Sequence, residues 1–151
     1  MLFEELKSVS ARMTALLETD DFPSAIVPPR LREAVRAYPL RGGKRLRPAL
    51  VMWSCGLMGG EVALAERVAA AVEIFHNWTL VHDDIIDQDE TRRGEPTTHI
   101  RLAMDAGRDF ALSEERAAKF GVDFAILAGD LQQAWAMHML EASVDHGVSP
   151  E

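Results

Sequence analysis

Apolar positions along most of the chain recur with the three-to-four-residue spacing of amphipathic helices. In the first segment this spacing predicts a helix over residues 2–19. Its apolar stripe consists of Leu2, Leu6, Val9, Met13, Leu16 and Leu17. Sustained alternation of apolar and polar residues, which marks half-buried strands, is nearly absent. The pattern therefore predicts an all-α protein with no domain boundary inside its 151 residues.

Prolines suggest where the next two helices begin and end. A proline pair precedes a second helix at about 30–38, which Pro39 is expected to end because proline lacks the backbone N–H that continues a helix. Pro48 suits the first turn of a third helix that reaches about Leu57. The two helices are separated by the flexible glycine pair of RGG.

The second half of the chain contains longer helical patterns. The predicted helices there span about 62–88, 99–118 and 121–142. The middle one is the least regular, with a possible turn at 106–109 and a capping box, LSEE, that starts a new helical turn at Ser113. Residues 145–151 carry no helical signal and are predicted to form a loop.

The most unusual segment is HDDIIDQDE at residues 82–90, called here the acidic stretch. On a helix Asp83 and Asp87 lie four residues apart on one face, and Asp84 neighbours Asp87 at a spacing of three. Carboxylates this close repel one another, and the dipole at a helix C-terminus disfavours them further. A divalent cation would turn this repulsion into binding, and Mg²⁺ prefers oxygen ligands of this kind.

Two arginines follow the acidic stretch almost at once. Arg92 and Arg93 precede Gly94, and a guanidinium group can bind two oxygens of one phosphate in bidentate fashion. Carboxylates beside such arginines favour a site for a metal-bound diphosphate. The alternative is a solvated helix end with local salt bridges, which contribute little to stability on a protein surface.

A second charged segment, GGKRLRP at residues 42–48, is called here the basic motif. Its glycines allow a ligand close to the backbone, and the helix start that follows attracts anions. Lys44, Arg45 and Arg47 add positive charge at the same place. Basic loops are common, so this motif alone says little. Together the two segments predict two anionic groups, one held through a metal ion and one held directly by cations.

Composition narrows the class of partner. The net charge of −8 argues against nucleic acid, because phosphate backbones are bound by broad basic surfaces. Cys55 is the single cysteine, which excludes an intrachain disulfide and favours a reducing compartment. No apolar run approaches the roughly 18–20 residues of a membrane span. These features predict a cytoplasmic protein.

Four segments in a fixed order resemble the first half of the trans-isoprenyl diphosphate synthases, or polyprenyl synthetases. They read GGKRLRP, FHNWTLVHDD, HDDIIDQDETRRG and AILAGDLQQA, and the resemblance covers about 40–98 and 119–140. It implies the N-terminal half of an antiparallel helical bundle of the isoprenoid synthase type. Residues 1–151 would form a partial domain that contains the first aspartate-rich motif and lacks the second. It also implies Mg²⁺ as cofactor and assembly as a homodimer or with the missing half.

The resemblance further implies roles for eight polar residues. The catalytic carboxylates that hold Mg²⁺ would be Asp83, Asp84 and Asp87. The arginine that contacts an allylic diphosphate would be Arg92. The pocket for isopentenyl diphosphate would consist of Lys44, Arg47, His76 and Arg93. The reaction implied is a condensation of these two substrates to prenyl diphosphates.

Product length would depend on the residues just before the acidic stretch. Trp78 lies five residues before Asp83 and Thr79 lies four before it. One helical turn rises about 5.4 Å, which is similar to one isoprene unit. A bulky Trp78 could therefore form the floor under the growing chain, and the resemblance implies short C15–C20 products. The alternative is that Trp78 is an ordinary core residue.

Length separates this chain from the synthases that it resembles. Those proteins are about twice as long and carry a second aspartate-rich motif. In addition, the segment 101–116 is longer than the usual link, and LQQ at residues 131–133 is less apolar than expected. The chain is therefore expected to be a fragment of a synthase. The alternative is a half-length, non-catalytic subunit that binds and modulates a complete synthase.

Three further residues are candidates for the same site, and two other classes of protein are alternatives to this interpretation. His82 could orient the acidic stretch, and Asp130 and Gln133 could face the same site. A phosphohydrolase of the HD type is suggested by His76 and the His82–Asp83 pair, but it explains neither the basic motif nor the arginine pair. A class I terpene cyclase would share the aspartates and lack the basic motif.

Overall fold

The computed structural model describes residues 2–145, and helices account for most of them. In chain order the elements are α1 (Leu2–Thr19), a 3₁₀ turn (Phe22–Ala25), α2 (Pro29–Leu40), α3 (Leu46–Leu57), α4 (Glu66–Ile86), β1 (Thr91–Arg92), β2 (Glu95–Pro96), α5 (Thr98–Phe110) and α6 (Glu114–Asp145). The predicted all-α class is confirmed. The loop predicted at the chain end falls, from residue 146 onwards, outside the described residues.

The second helix does not stop at its proline. α2 continues through Pro39 to Leu40, so the helix ends two residues later than predicted. Pro39 has no N–H to donate to the carbonyl of Val35 four residues earlier. The buried side chain of Gln132 on α6 donates to that carbonyl instead, at 2.9 Å. A side chain from a distant helix thus replaces the hydrogen bond that proline cannot make.

The helix that carries the acidic stretch is shorter than predicted at both ends. Residues 62–65 form turns, and α4 begins only at Glu66. At the other end Gln88 takes a left-handed conformation with φ 58°. The N–H of Asp89 then reaches the carbonyl of Asp84 at 2.9 Å, and the N–H of Gln88 reaches that of Ile85 at 3.4 Å. This is the Schellman pattern that ends helices, with glutamine in place of the usual glycine.

The link between α5 and α6 also differs from its prediction. α5 continues through 106–109 to Phe110, so the turn expected there was wrong. The chain bends at Ala111, where φ is +51°, and α6 begins directly after Ser113 rather than at 121. α6 therefore has 32 residues and a length of about 48 Å. The start at Ser113 agrees with the predicted helical start of LSEE.

Helix α6 packs along both α4 and α5 and forms the centre of the fold. Its buried positions include many small residues, which let neighbouring backbones approach closely. At Gly129 an added Cβ would lie 2.7 Å from the ring of His82 on α4. A side chain at this position would therefore have to displace the His82 ring.

A short hairpin follows α4 and is called here the arginine hairpin, residues 91–96. Thr91 pairs with Pro96 and Arg92 pairs with Glu95 in an antiparallel register. The two-residue loop, Arg93 and Gly94, has φ values of 57° and 79°, as in a type I′ turn. Strands of two residues are too short to leave an alternating pattern, so the sequence did not predict them.

Several large apolar side chains remain exposed on the helices. On α4 these include Val72 and Phe75, and on α6 they include Ile126, Leu127 and Met137. Half of a helical bundle would present apolar faces of this kind. Among residues 2–145, no helix combines the length and the apolar character that crossing a membrane requires.

Candidate functional site

The three aspartates at the end of α4 do not share one environment. Asp83 and Asp87 are exposed, and the N–H of Asp87 donates to the carbonyl of Asp83 at 2.8 Å across one helical turn. Asp84 is fully buried, with 0% of its surface accessible. The prediction that Asp83 and Asp87 lie on one face therefore agrees with the structure, and Asp84 points into the protein.

Both carboxylate oxygens of Asp84 have partners. One accepts a hydrogen bond from Nε of Arg92 at 2.7 Å, and Nη2 of the same guanidinium lies 2.5 Å from this oxygen as an ion pair. The other accepts a hydrogen bond from the hydroxyl of Tyr38 on α2. The neighbouring carboxylate raises the pKa of Arg92, chiefly through hydrogen bonding. Arg92 is thus held at the base of the arginine hairpin by a buried anion.

Tyr38 joins three segments of the chain at one oxygen. Only 3% of its surface is exposed, and its hydroxyl also accepts the backbone N–H of Thr98 at 3.3 Å. Burial, followed by the hydrogen bond to Asp84, raises the pKa of Tyr38 to about 12. The hydroxyl therefore remains a donor to Asp84 at neutral pH.

The arginine hairpin contacts the basic motif directly. Nη1 of Arg93 donates to the carbonyl of Gly42 at 2.5 Å. A Cβ at Gly43 would lie 3.0 Å from the same guanidinium nitrogen, so a side chain there would crowd Arg93. The exposed cations of the basic motif, Lys44 and Arg47, therefore lie on the segment against which Arg93 packs.

The third cation of the basic motif has a different environment. Arg45 is 2% exposed and donates to Glu73 of α4 at 2.6 Å. It also donates to the carbonyl of Pro39. This buried pair attaches the basic motif to α4 one turn before His76. Arg45 therefore supports the motif and leaves its surface charge to Lys44 and Arg47.

His76 lies among the cations assigned to the same pocket. Burial lowers its pKa, and the positive charges of Arg47, Arg93 and Arg92 lower it further, while Glu73 has the opposite effect. These electrostatic interactions indicate that Arg47, Arg92 and Arg93 lie near His76. The hydroxyl of Thr79, predicted to influence product length, donates to the carbonyl of His76 at 2.8 Å.

Trp78 lies between two aromatic neighbours on α4. Its ring packs edge-on against Phe75 at 4.7 Å and against His82 at 5.8 Å between ring centroids. The indole N–H is buried without a hydrogen-bond partner within residues 2–145. The residues three and six positions before Trp78, Phe75 and Val72, are exposed and apolar. An apolar lane therefore extends from the acidic stretch back along the helix.

The donor set at the end of α4 fits Mg²⁺ rather than a softer metal. Asp83 and Asp87 offer only carboxylate oxygens and are open to water, which Mg²⁺ retains readily among its ligands. Elsewhere in residues 2–145, ligand atoms of Asp20, Asp21 and His138 lie within 4.8 Å of one another. One oxygen of Asp20 is already used by Trp135 Nε1, at 2.8 Å.

Two further residues suspected from the sequence are peripheral. The side chain of Asp130 is 62% exposed and lies 3.7 Å from Nε2 of His82, and Gln133 is exposed. Sequence reasoning missed the buried partners Tyr38, Glu73 and Gln132, since the residues that they contact are 46, 28 and 97 positions away. The only local signal was that each is a polar residue on an apolar helix face.

A groove lies beside the arginine hairpin, and its lining includes Arg41 and Glu95. It encloses about 620 Å³ between α2 and α5, and none of the predicted site residues lines it. A much smaller pocket is lined by Tyr38, Arg92 and Arg93.

Comparison with known proteins identifies the family. The sequence model of the polyprenyl synthetase family matches residues 28–149, which include the basic motif, the acidic stretch and the arginine hairpin. The chain belongs to the polyprenyl synthetase family.

Named relatives agree with this assignment. A geranylgeranyl diphosphate synthase of Sulfolobus acidocaldarius is 43% identical over 112 residues, covering 74% of this chain and 28% of its own length. A geranylfarnesyl diphosphate synthase of Aeropyrum pernix is 40% identical over 133 residues, covering 87% of this chain and 36% of its own. The chain therefore spans about a third of the length of these curated relatives.

The fold also matches a solved structure with ligands. Geranylgeranyl pyrophosphate synthase from Corynebacterium glutamicum, complexed with isoprenyl diphosphate and magnesium, superposes with a TM-score of 0.80 at 33% identity. The superposition covers 100% of this chain and 43% of that protein. The helical arrangement described above is therefore shared with part of that synthase.

Proposed function

We propose that this chain forms the N-terminal half of the active site of a Mg²⁺-dependent prenyltransferase. The enzyme would condense isopentenyl diphosphate with an allylic diphosphate to make C15–C20 prenyl diphosphates. The observation that carries this proposal is the contact of Arg93 with Gly42, because it joins the arginine hairpin to the basic motif. Two anion-binding surfaces thereby lie side by side, as a reaction between two diphosphates requires.

The acidic stretch and Arg92 would bind the allylic diphosphate. Asp83 and Asp87, both exposed at the end of α4, would hold Mg²⁺. When bound, the ion neutralises charge on the diphosphate as its C–O bond breaks. Arg92 retains guanidinium nitrogens for phosphate oxygens because only part of its fork is used by Asp84. The buried position of Asp84 favours a supporting role over the direct metal contact predicted for it.

The basic motif would bind the second substrate without metal. Lys44 and Arg47 are exposed cations, and His76 lies near Arg47 and Arg93. Direct binding by side chains suits isopentenyl diphosphate, whose diphosphate stays attached throughout. Its double bond would attack the allylic cation, forming a C–C bond, and loss of a proton would restore the double bond.

Binding of inorganic pyrophosphate provides a first test. Calorimetry with Mg²⁺ should show binding to the chain, and Asp83→Asn with Asp87→Asn should remove the Mg²⁺-dependent part. Asp123→Asn, an exposed aspartate on α6 that pairs with Lys119, is the matched control and should bind normally. Pyrophosphate binding that ignores both Mg²⁺ and the Asp83/Asp87 change would contradict the proposed metal site.

Turnover tests the reaction itself and separates the two candidate functions. The chain would be incubated with Mg²⁺, isopentenyl diphosphate and allylic diphosphates of increasing length, alone and with a polypeptide that supplies the second half of a relative. Prenyl diphosphate formed on addition of that polypeptide supports the proposal. If the chain only alters the activity of a complete synthase, the alternative of a modulating subunit is correct.

The apolar lane on α4 would receive the growing prenyl chain. Trp78 lies on it beside Phe75, close to the acidic stretch. In the reconstituted enzyme, Trp78→Ala should lengthen the product by about one isoprene unit, since one helical turn of the lane would open. Trp53→Ala on α3 is the control and should leave product length unchanged. An unaltered product from Trp78→Ala would assign Trp78 to the core.

A further inference from the structure

We infer that Tyr38 is a positioning residue, whose hydroxyl fixes Asp84 so that Arg92 is aimed into the diphosphate site. This inference rests on the proposed function and adds to it a residue from α2, outside both charged motifs. Tyr38 is too buried to bind substrate directly, since only 3% of its surface is exposed. Its effect must therefore pass through its neighbours.

The first step is the orientation of the Asp84 carboxylate. A buried carboxylate with one partner could rotate about its terminal bond, because that torsion is broad. Here one oxygen accepts a hydrogen bond from the Tyr38 hydroxyl, and the other accepts one from Nε of Arg92 and lies 2.5 Å from its Nη2. Tyr38 thus leaves a single orientation in which the second oxygen faces the guanidinium.

The second step is the orientation of Arg92. Two of its nitrogens meet the same oxygen of Asp84, at 2.7 and 2.5 Å. The remaining N–H groups of the planar fork must then point away from Asp84, because guanidinium geometry is rigid. The carboxylate of Asp89 lies 3.6 Å from the same Nη2. Arg92 is therefore aimed before any ligand arrives.

The third step is the base of the arginine hairpin. The Tyr38 hydroxyl accepts the N–H of Thr98, the first residue of α5 and two residues after β2, at 3.3 Å. The hydroxyl of Thr97 donates to the carbonyl of Asp89 at 2.8 Å, at the other end of the hairpin. One phenol oxygen thus contacts both α4, through Asp84, and the residue at which the hairpin enters α5.

Tyr38→Phe removes only the hydroxyl and tests this directly. Binding of inorganic pyrophosphate with Mg²⁺ should weaken about tenfold, the equivalent of one hydrogen bond to a charged group. In an Arg92→Gln background the same Tyr38→Phe change should alter binding less than about twofold, because its route to the ligand is already lost. A similar loss in both backgrounds would overturn the inference.

A ligand-free measurement gives a second and independent readout. In wild-type protein labelled with ¹⁵N-arginine, exchange of the Arg92 Nε–H with solvent should be slow, and Tyr38→Phe should speed it several-fold. Unchanged exchange would overturn the inference even if stability falls. If wild-type chain fails to bind pyrophosphate, the proposed function fails for this chain, while the exchange measurement still decides the role of Tyr38.

The matched control removes a hydrogen bond to a carboxylate elsewhere. Trp135→Phe loses the bond from Nε1 to Asp20, which is 2.8 Å long. Thermal unfolding of both variants would show how much each loses in stability. Trp135→Phe should retain normal pyrophosphate binding and normal Arg92 exchange. If it weakens binding as much as Tyr38→Phe does, the effect of Tyr38 is only structural.

Discussion

The basic motif and the arginine hairpin are each attached to α4 by an ion pair between an arginine and a buried carboxylate of α4. In the basic motif the side chain of Arg45 is 0% exposed and that of Glu73 is 7% exposed. In the hairpin the side chain of Asp84 is 0% exposed, while that of Arg92 is 28% exposed. In the first pair, called here the sealed pair, both side chains are buried. In the second, called here the half-open pair, the carboxylate is buried and the arginine reaches solvent.

This difference separates support from binding. A wholly buried guanidinium cannot be reached by a ligand from solvent, so Arg45 can only hold the basic motif in place. The guanidinium of Arg92 contacts Asp84 and also reaches solvent, so it can bind a ligand while it stays paired. Which partner reaches solvent therefore matters more than the presence of the pair.

The sealed pair is expected to give the largest loss of stability. Glu73→Gln should lower the free energy of unfolding by about 3 kcal/mol, because it leaves the buried charge of Arg45 without a counterion. Chemical denaturation would measure this. Glu4→Gln, which breaks an exposed pair with Lys7, should change stability by no more than about 0.5 kcal/mol. Equal effects of the two substitutions would remove the distinction between sealed and exposed pairs.

The half-open pair should cost less when broken. Asp84→Asn should lower the free energy of unfolding by about 2 kcal/mol, since Arg92 can still reach water when its partner loses its charge. The same denaturation experiment applies. A larger loss for Asp84→Asn than for Glu73→Gln would reverse the proposed order of the two pairs.

The exposed aspartates should respond in the opposite direction. Without Mg²⁺, Asp83→Asn should raise the free energy of unfolding by about 0.5 kcal/mol, because it removes an anion that the helix dipole and Asp87 both disfavour. Thermal unfolding with and without Mg²⁺ would show this. The variant should also lose any stabilisation by the ion, and a loss of stability in Mg²⁺-free buffer would contradict the argument.

The smallest expected effect is a pH dependence from His76. Its folded pKa lies below the ordinary 6.5, mainly through burial and then through Arg47. Above pH 6.5 both states hold it neutral. As the pH falls below 6.5 the unfolded chain binds a proton first, so stability declines as the pH approaches the folded pKa. His76→Gln should flatten this part of a stability–pH curve, and an NMR titration of the imidazole would confirm the direction.

Local patterns predicted the features that depend on neighbours in sequence. The bounds of α1 and α3 follow from apolar spacing and from Pro48, and the common face of Asp83 and Asp87 follows from helix geometry. The resemblance to polyprenyl synthetases added what spacing alone could not, namely that the basic motif and Arg93 belong together. Their contact through Gly42 agrees with that expectation.

Features that depend on distant partners were not predictable in this way. The burial of Asp84 is set by Tyr38 on another helix, 46 residues earlier. The continuation of α2 past Pro39 depends on Gln132, a residue of α6. The break before α6 falls at Ala111, whose left-handed backbone carries no glycine or proline signal. In each case tertiary contacts outweighed the local preference.

The type I′ turn of the arginine hairpin also limits how this region can evolve. Its loop has only two residues, Arg93 and Gly94, and both have positive φ. One inserted residue would shift the pairing register and turn successive side chains to opposite faces. We therefore expect the side chains on α4 to tolerate substitution more readily than the hairpin tolerates a change of length. Under the proposed function, a change of substrate size would need only a point substitution on α4, whereas a change of length in the hairpin would displace Arg92 or Arg93.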